Sequence, residues 1–181
     1  MTRNPPLQAD VFALARERRE IAGELPLAAL PRLAESLLST DGALRYRIRG
    51  EVDDRGRPGA AMHLVARLPM ECQRCGGPVD IDLRRDARFR FVADEAQLGA
   101  EPDDDDDVDV IVGSQRMELV PWIEDEAILS LPLVPRHEAG DPQCRPAVPL
   151  SATAGEPASA EAVRPNPFSV LAGLKPGGKS N

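Results

Sequence analysis

The stretch Met70-Glu-Cys-Gln-Arg-Cys-Gly-Gly-Pro78 decides how this chain is read. It holds Cys72 and Cys75, two of only 3 cysteines in the sequence, as a C-x-x-C pair. Gly76-Gly77-Pro78 follows at once and supplies the residues that let a chain reverse. A tight turn that sends both thiols off one side, with alternating segments before and after it, reads as the hinge of a β-hairpin.

Working outward, Ala43-Leu-Arg-Tyr-Arg-Ile-Arg-Gly50 alternates strictly. Leu44, Tyr46 and Ile48 point one way and Arg45, Arg47 and Arg49 the other, the period of a half-buried strand. Asp53-Asp-Arg-Gly-Arg-Pro-Gly59 is a turn, and Ala61 to Leu68 leads into the cysteines. Beyond them, Val79 to Val92 alternates again, with Ile81, Leu83, Ala87, Phe89 and Phe91 against Asp82, Arg84, Asp86, Arg88 and Arg90. Arg85 interrupts the apolar set and predicts a bulge or an edge. Three strands joined by short turns give an antiparallel meander with one wet face.

The flanks are read in the same way. Residues 9 to 21 begin apolar and turn charged, which suggests an opening strand. Leu30, Leu33, Ala34, Leu37 and Leu38 predict one short helix, with Pro31 in its first turn and Asp41-Gly42 ending it. Residues 94–107, closing on Asp103 to Asp107, read as a solvated acidic loop. Val108 to Val112 and Met117 to Leu119 suggest another strand and turn. From Val120 the period becomes helical, with Val120, Ile123, Ala127, Ile128 and Leu131 as the apolar stripe and Glu124, Asp125 and Glu126 outside it. Pro132 and Pro135 stop it.

The expected fold class is therefore α+β: mostly an antiparallel β meander or partial barrel, with one or two packed helices and a disordered C-terminal tail. The folded domain is assigned to residues 1–144. Residues 145–181, rich in Pro, Ala, Ser and Gly, form a flexible tail. Within it, segment 166–175 has Asn166 at a cap position, Pro167 behind it, and Phe168, Leu171 and Leu174 on one side, a docking motif for a protein partner.

Composition narrows the classes. With 1 Trp, 1 Tyr and 4 Phe in 181 residues, the core has to be built from Leu, Val, Ile and Ala. The net charge of -8 is uneven: the first 90 residues hold 16 Arg and no Lys against 13 acids, and the remainder hold 6 basic residues against 17 acids. Such asymmetry points to two faces with different partners. No window approaches the ~18 consecutive apolar residues of a membrane span, and Met1-Thr-Arg-Asn-Pro-Pro is not a secretory leader. The expectation is a cytoplasmic protein without membrane contact, in which cysteines are thiols or metal ligands.

Four groups carry candidate chemistry. Cys72, Cys75, His137 and Cys144 together make a zinc-type ligand set, although His-x6-Cys is not one of the common ligand spacings; the plainer alternative is a reduced turn with a separate Cys144. A thiol redox centre is disfavoured because Gly76-Gly77-Pro78 breaks any helix at the C-x-x-C. The arginine faces, Arg45, Arg47 and Arg49 with Arg84, Arg88 and Arg90, offer a basic surface for RNA phosphates if both strands share a sheet; the alternative is a solvated face paired with its own acids. Gly173-Leu-Lys-Pro-Gly-Gly-Lys-Ser180 matches a phosphate-loop pattern but has no strand before it or helix after it, so nucleotide binding is set aside. No nucleophile elbow, metalloprotease helix or acid–base pair is visible, and no small-molecule substrate is indicated.

The order of these features resembles the YceD family of bacterial large ribosomal RNA accumulation proteins. The resemblance rests on Cys72-Gln-Arg-Cys75, the acidic loop, the helix Glu124-Asp-Glu-Ala-Ile-Leu-Ser-Leu-Pro-Leu-Val-Pro135, then His137 and Cys144, and finally Asn166 to Lys175. It implies a non-enzymatic ribosome biogenesis factor that supports synthesis, processing or stability of 23S ribosomal RNA. Its partners would be large-subunit ribosomal RNA or its precursors, or ribosomal or assembly proteins. The competing classes are a small zinc or thiol redox protein centred on the cysteines and an adaptor that contacts protein only.

Overall fold

The computed structural model describes residues 8–98 and 107–145. Most of the acidic loop and the docking motif Asn166, Pro167, Phe168, Leu171 and Leu174 lie outside the described residues. The fold is α+β. Its strands are β1 (Gln8–Ala9), β2 (Glu20–Pro26), β3 (Ala43–Val52), β4 (Pro58–Glu71), β5 (Pro78–Val92), β6 (Val108–Val112) and β7 (Met117–Glu118). Its helices are α1 (Val11–Arg16), α2 (Pro31–Ala34) and α3 (Leu119–Leu129). No helix among the described residues is long and apolar enough to cross a membrane.

The main sheet has five strands in the order β2-β3-β4-β5-β6, and β1 pairs with β7 in a small ribbon. From β2 to β5 every neighbour is antiparallel and consecutive in the chain, the expected meander extended by a strand. β6 joins β5 in parallel, so the connection after Val92 runs back along the sheet. The sheet stays open, with β2 and β6 as its edges, and does not close into a barrel.

The inner face carries the alternation seen in the sequence: Leu44, Tyr46 and Ile48 of β3, Met62, Leu64 and Leu68 of β4, and Leu83, Ala87, Phe89 and Phe91 of β5 are all buried. The helices cover this face, and Trp122 of α3 meets Phe89 edge-on at 4.8 Å between ring centroids, a favoured aromatic geometry. α1 approaches most closely at Gly50, where a β-carbon would lie 2.1 Å from the Leu14 carbonyl oxygen. Only glycine leaves room there.

Four expectations are corrected. The opening segment is not a strand, because Asp10 caps a helix by accepting from the Ala13 N–H at 2.9 Å, and Val11, Leu14 and Ala15 at helical spacing are buried. That helix ends on Arg18 at φ +50, with Arg19 N–H donating to the Leu14 carbonyl, a left-handed termination that glycine normally provides. The second helix is a single turn, since the chain leaves it so that Leu38 N–H donates to the Pro69 carbonyl; Leu38 ends up exposed. Of the bulge and the edge expected at Arg85, the bulge is corrected: β6 pairs only with Arg88–Val92, so β5 is an edge at Arg85, without a bulge. The β4–β5 register runs unbroken from Gly59↔Arg90 to Glu71↔Pro78, and Arg85 crosses the inner side to reach Glu126 at 3.4 Å.

The fourth correction concerns α3, whose inward side is Leu119, Trp122, Ile123, Glu126 and Ala127, with Glu124 buried as well. Glu124 accepts from the Arg32 and Leu33 N–H groups at 2.8 and 3.1 Å and pairs with the Arg32 guanidinium at 3.0 Å. A glutamate from one helix therefore satisfies the first-turn donors of another. Asp125 completes the clasp with Arg32 at 2.6 Å.

Candidate metal centre and arginine face

The C-x-x-C lies where the sequence places it, on the six-residue connection between β4 and β5. Cys72 N–H donates to the Gly77 carbonyl and Gly76 N–H to the Cys72 carbonyl, both at 2.8 Å, so the turn closes on itself. Gly76 has φ +71, a conformation that side-chained residues rarely adopt. The turn is then fastened to the chain that follows α3: Gln73 N–H donates to the Pro135 carbonyl at 2.8 Å and the Arg74 guanidinium to the His137 carbonyl at 3.2 Å. His137 and Cys144 arrive by that route.

The structure brings all four expected ligands together. The Cys72, Cys75 and Cys144 sulfurs and a His137 nitrogen lie within 4.8 Å of one another. Cys72 Sγ is 4.0 Å from Cys144 Sγ, and Cys75 Sγ is 3.6 Å from His137 Nδ1. All three cysteines are free thiols. Cys72 and His137 are buried, and Cys75 and Cys144 half-buried.

The surroundings favour thiolate at one of these positions. Burial pushes the Cys72 thiol up, but the backbone N–H groups of His137, Arg74 and Cys75, with the His137 ring, outweigh it and bring it down to about 5. Cys144 moves the other way, to about 11, through burial and hydrogen bonds with the Cys75 and Cys72 sulfurs, against the pull of Arg74. Gly77 N–H also donates to Cys75 Sγ at 3.4 Å. The roles of Arg74 and Pro135 are not legible in the sequence, because they depend on a turn docking against a segment some sixty residues away.

The arginines gather on the outer face of the same sheet. Register places Arg45 opposite Val65 and Val65 opposite Arg84; one row away, Arg47, His63 and Asp86 align; in the next, Arg49, Ala61 and Arg88. Arg45, Arg47, Arg49, Arg84 and Arg88 are exposed, whereas Arg90 is buried, 8% accessible. Acids share the surface: Arg47 pairs with Glu20 at 3.7 Å, Arg88 with Glu51 at 3.1 Å, and His63 Nδ1 with Asp86 at 2.7 Å. Among the described residues no ion pair engages Arg45, Arg49 or Arg84. The middle of the face dips into a depression of about 610 Å³ lined by Glu20, Arg47, Arg49, Ala61, His63 and Arg88, among others.

Comparison with known proteins places this architecture. The sequence profile of the family described as "Large ribosomal RNA subunit accumulation protein YceD" matches residues 60–175. That range takes in nearly all of β4, then β5, α3 and Cys72, Cys75, His137 and Cys144, and runs on through the segment 166–175. A curated relative from Haemophilus influenzae, the large ribosomal RNA subunit accumulation protein YceD, is 29% identical over 170 residues, covering 94% of this chain and 95% of its own length. No solved structure matches the chain. The family profile covers well over half of the sequence and the relative aligns nearly end to end, so the chain belongs to the YceD family.

Proposed function

We propose that the protein is a non-catalytic cytoplasmic factor that supports accumulation of large-subunit ribosomal RNA by holding that RNA, or a precursor of it, against the outer face of the sheet. The name of the family and of the relative supports the ribosomal half of this reading. The observation that carries the other half is that Arg45, Arg49 and Arg84 lie on one exposed face without carboxylate partners among the described residues, Arg45 facing Arg84 across Val65 and Arg49 facing Arg88 across Ala61. Arg45 and Arg84, two strands apart, are separated by about 9.6 Å, comparable to the screening length of physiological salt; Arg49 lies four residues along β3 from Arg45, about 13.6 Å away, with Arg47 about midway between them to link the two ends of the row. Arg47 and Arg88 join it once phosphate displaces Glu20 and Glu51.

A second reading, protein docking through Phe168, Leu171 and Leu174, is favoured by the reach of the family match to residue 175. It makes ribosomal or assembly proteins the partners and leaves the sheet as a scaffold. Crosslinking and pull-down from growing cells, with RNA and protein both identified at low and high salt, separates the two. Large-subunit ribosomal RNA recovered at low salt and lost at high salt supports the arginine face. A protein partner that survives high salt and disappears when Phe168, Leu171 and Leu174 are changed to Ala, with no RNA recovered at either salt, overturns it.

A further inference from the structure

We infer that Cys72, Cys75, His137 and Cys144 form a structural zinc site that clasps the β4–β5 turn to the segment following α3. All ligand atoms lie within 4.8 Å of one another, and the two closest pairs have the spacing of edges of a coordination tetrahedron. Zinc–sulfur bonds of about 2.3 Å and a zinc–nitrogen bond of about 2.0–2.1 Å put two sulfurs about 3.8 Å apart and a sulfur and a nitrogen about 3.6 Å apart. The Cys72–Cys144 and Cys75–His137 Nδ1 separations are 4.0 and 3.6 Å. A disulfide would need half the sulfur–sulfur distance found here.

The chemistry of the donors agrees with the geometry. Three sulfurs and one imidazole are a soft set that suits zinc and leaves no open coordination position, as a structural site requires. Three thiolates around a divalent ion leave one net negative charge. Backbone N–H groups aimed at Cys72 and Cys75 and the Arg74 guanidinium supply the positive potential that such a centre needs. Nδ1 is the His137 nitrogen turned to the sulfurs, and with zinc on it the ring would carry its proton on Nε2.

The fold consequence is specific. Cys72 and Cys75 come from a hairpin end, while His137 and Cys144 follow the last helix, and the hydrogen bonds of Gln73 and Arg74 already hold the two segments in place. Metal binding converts that contact into a crosslink between the β4–β5 turn and the segment after α3. The site is independent of the RNA face, so either reading stands if the other fails.

The test uses full-length protein purified without metal-affinity resin. Elemental analysis is expected to give about one zinc per chain, as for other structural sites that bind metal on folding. Metal-stripped protein titrated with cobalt should develop thiolate-to-cobalt charge-transfer bands and the visible bands of tetrahedral cobalt, saturating at one equivalent and erased by zinc. Cys144→Ser should lose about a third of the charge-transfer intensity and hold zinc at least about 10-fold more weakly, while His63→Ala, on the outer face, should be unchanged. Folded wild-type protein that holds less than about a tenth of an equivalent of metal and gives no cobalt spectrum overturns the site. Iron in place of zinc overturns the assignment of the metal. Should Cys144→Ser prove insoluble, the wild-type cobalt titration decides alone.

Discussion

Replacing Arg45, Arg49 and Arg84 together by Gln is the perturbation that reports most directly on the outer face. All three are exposed and make no ion pair with a described residue, so their loss leaves packing alone and changes stability by less than about 0.5 kcal/mol. Their effect on RNA is large and calculable. Binding to a single strand releases counterions, and the slope of log affinity against log salt is about −0.7 per phosphate neutralised. If only these three arginines engage phosphate, the slope is about −2.1; if Arg47 and Arg88 also leave Glu20 and Glu51, it is about −3.5. A fivefold rise in salt then weakens binding by about 30-fold in the first case and about 280-fold in the second. In the triple variant only Arg47 and Arg88 remain, so the slope is no steeper than about −1.4 and the same change in salt costs about 10-fold. Fluorescence anisotropy with a labelled single-stranded fragment of large-subunit ribosomal RNA, titrated across a salt series, measures both slopes. Arg116→Gln is the control, since Arg116 lies by Gln8 at the small ribbon, away from the outer face. Equal slopes for wild type and triple variant, or an equal loss in the control, would refute the assignment of this face.

Three further outcomes concern the interior. Glu124→Ala strips the acceptor from two first-turn N–H groups and leaves Arg32 without its buried partner, and is expected to cost about 3–5 kcal/mol in urea unfolding at unchanged m-value; a loss below about 1 kcal/mol would sink the clasp. Glu126 titrates above its ordinary range because burial outweighs the nearby Arg85, so its contribution to stability is full below the unfolded value of about 4.3 and is lost as pH rises through the higher folded value. Glu126→Gln should therefore gain on the wild type as pH climbs through the weakly acidic range, and unfolding curves that stay parallel across that range would contradict it. Arg18→Gly relieves a left-handed backbone at the end of α1 and should raise stability by about 0.5–1 kcal/mol, a melting temperature higher by about 1–4 °C; a lower melting temperature counts against the helix end described.

Wherever one strand face is charged and the other apolar, the sequence carried the fold. Arg45, Arg47 and Arg49 alternating with Leu44, Tyr46 and Ile48 could be only a half-buried strand, and the turn chemistry at Gly76-Gly77-Pro78 fixed the hairpin. β2 escaped because it is an edge, with only Leu25 fully turned to the core, and its neighbour α1 is too short to show a period. The strand Val108–Val112 was visible, but its parallel direction is set by the crossover and not by its own residues. Glu124 and Glu126 looked solvated because nothing local announces a partner: Glu124 is satisfied by Arg32 from 92 positions away and Glu126 by Arg85 from 41. Glu126 did have a signal, since it falls four residues after Trp122 and three after Ile123, on the inward stripe. The four metal-type residues stand out by side-chain chemistry, and their irregular spacing reflects groups that meet only through tertiary docking.

The order of strands also sets the order in which the chain can take shape. From β2 to β5 each strand pairs with the one just made, so the meander can assemble while synthesis is still under way, with the β4–β5 hairpin closing over only six residues. α3 comes later, and until Trp122 and Glu124 emerge, Phe89 and Phe91 on the inner face lack the ring that packs against them and α2 lacks its cap. A nascent chain therefore passes through an interval as a sheet with one bare apolar side, the kind of surface that chaperones hold. Premature termination between β5 and α3 yields an aggregation-prone fragment, whereas completing the last helix seals the domain.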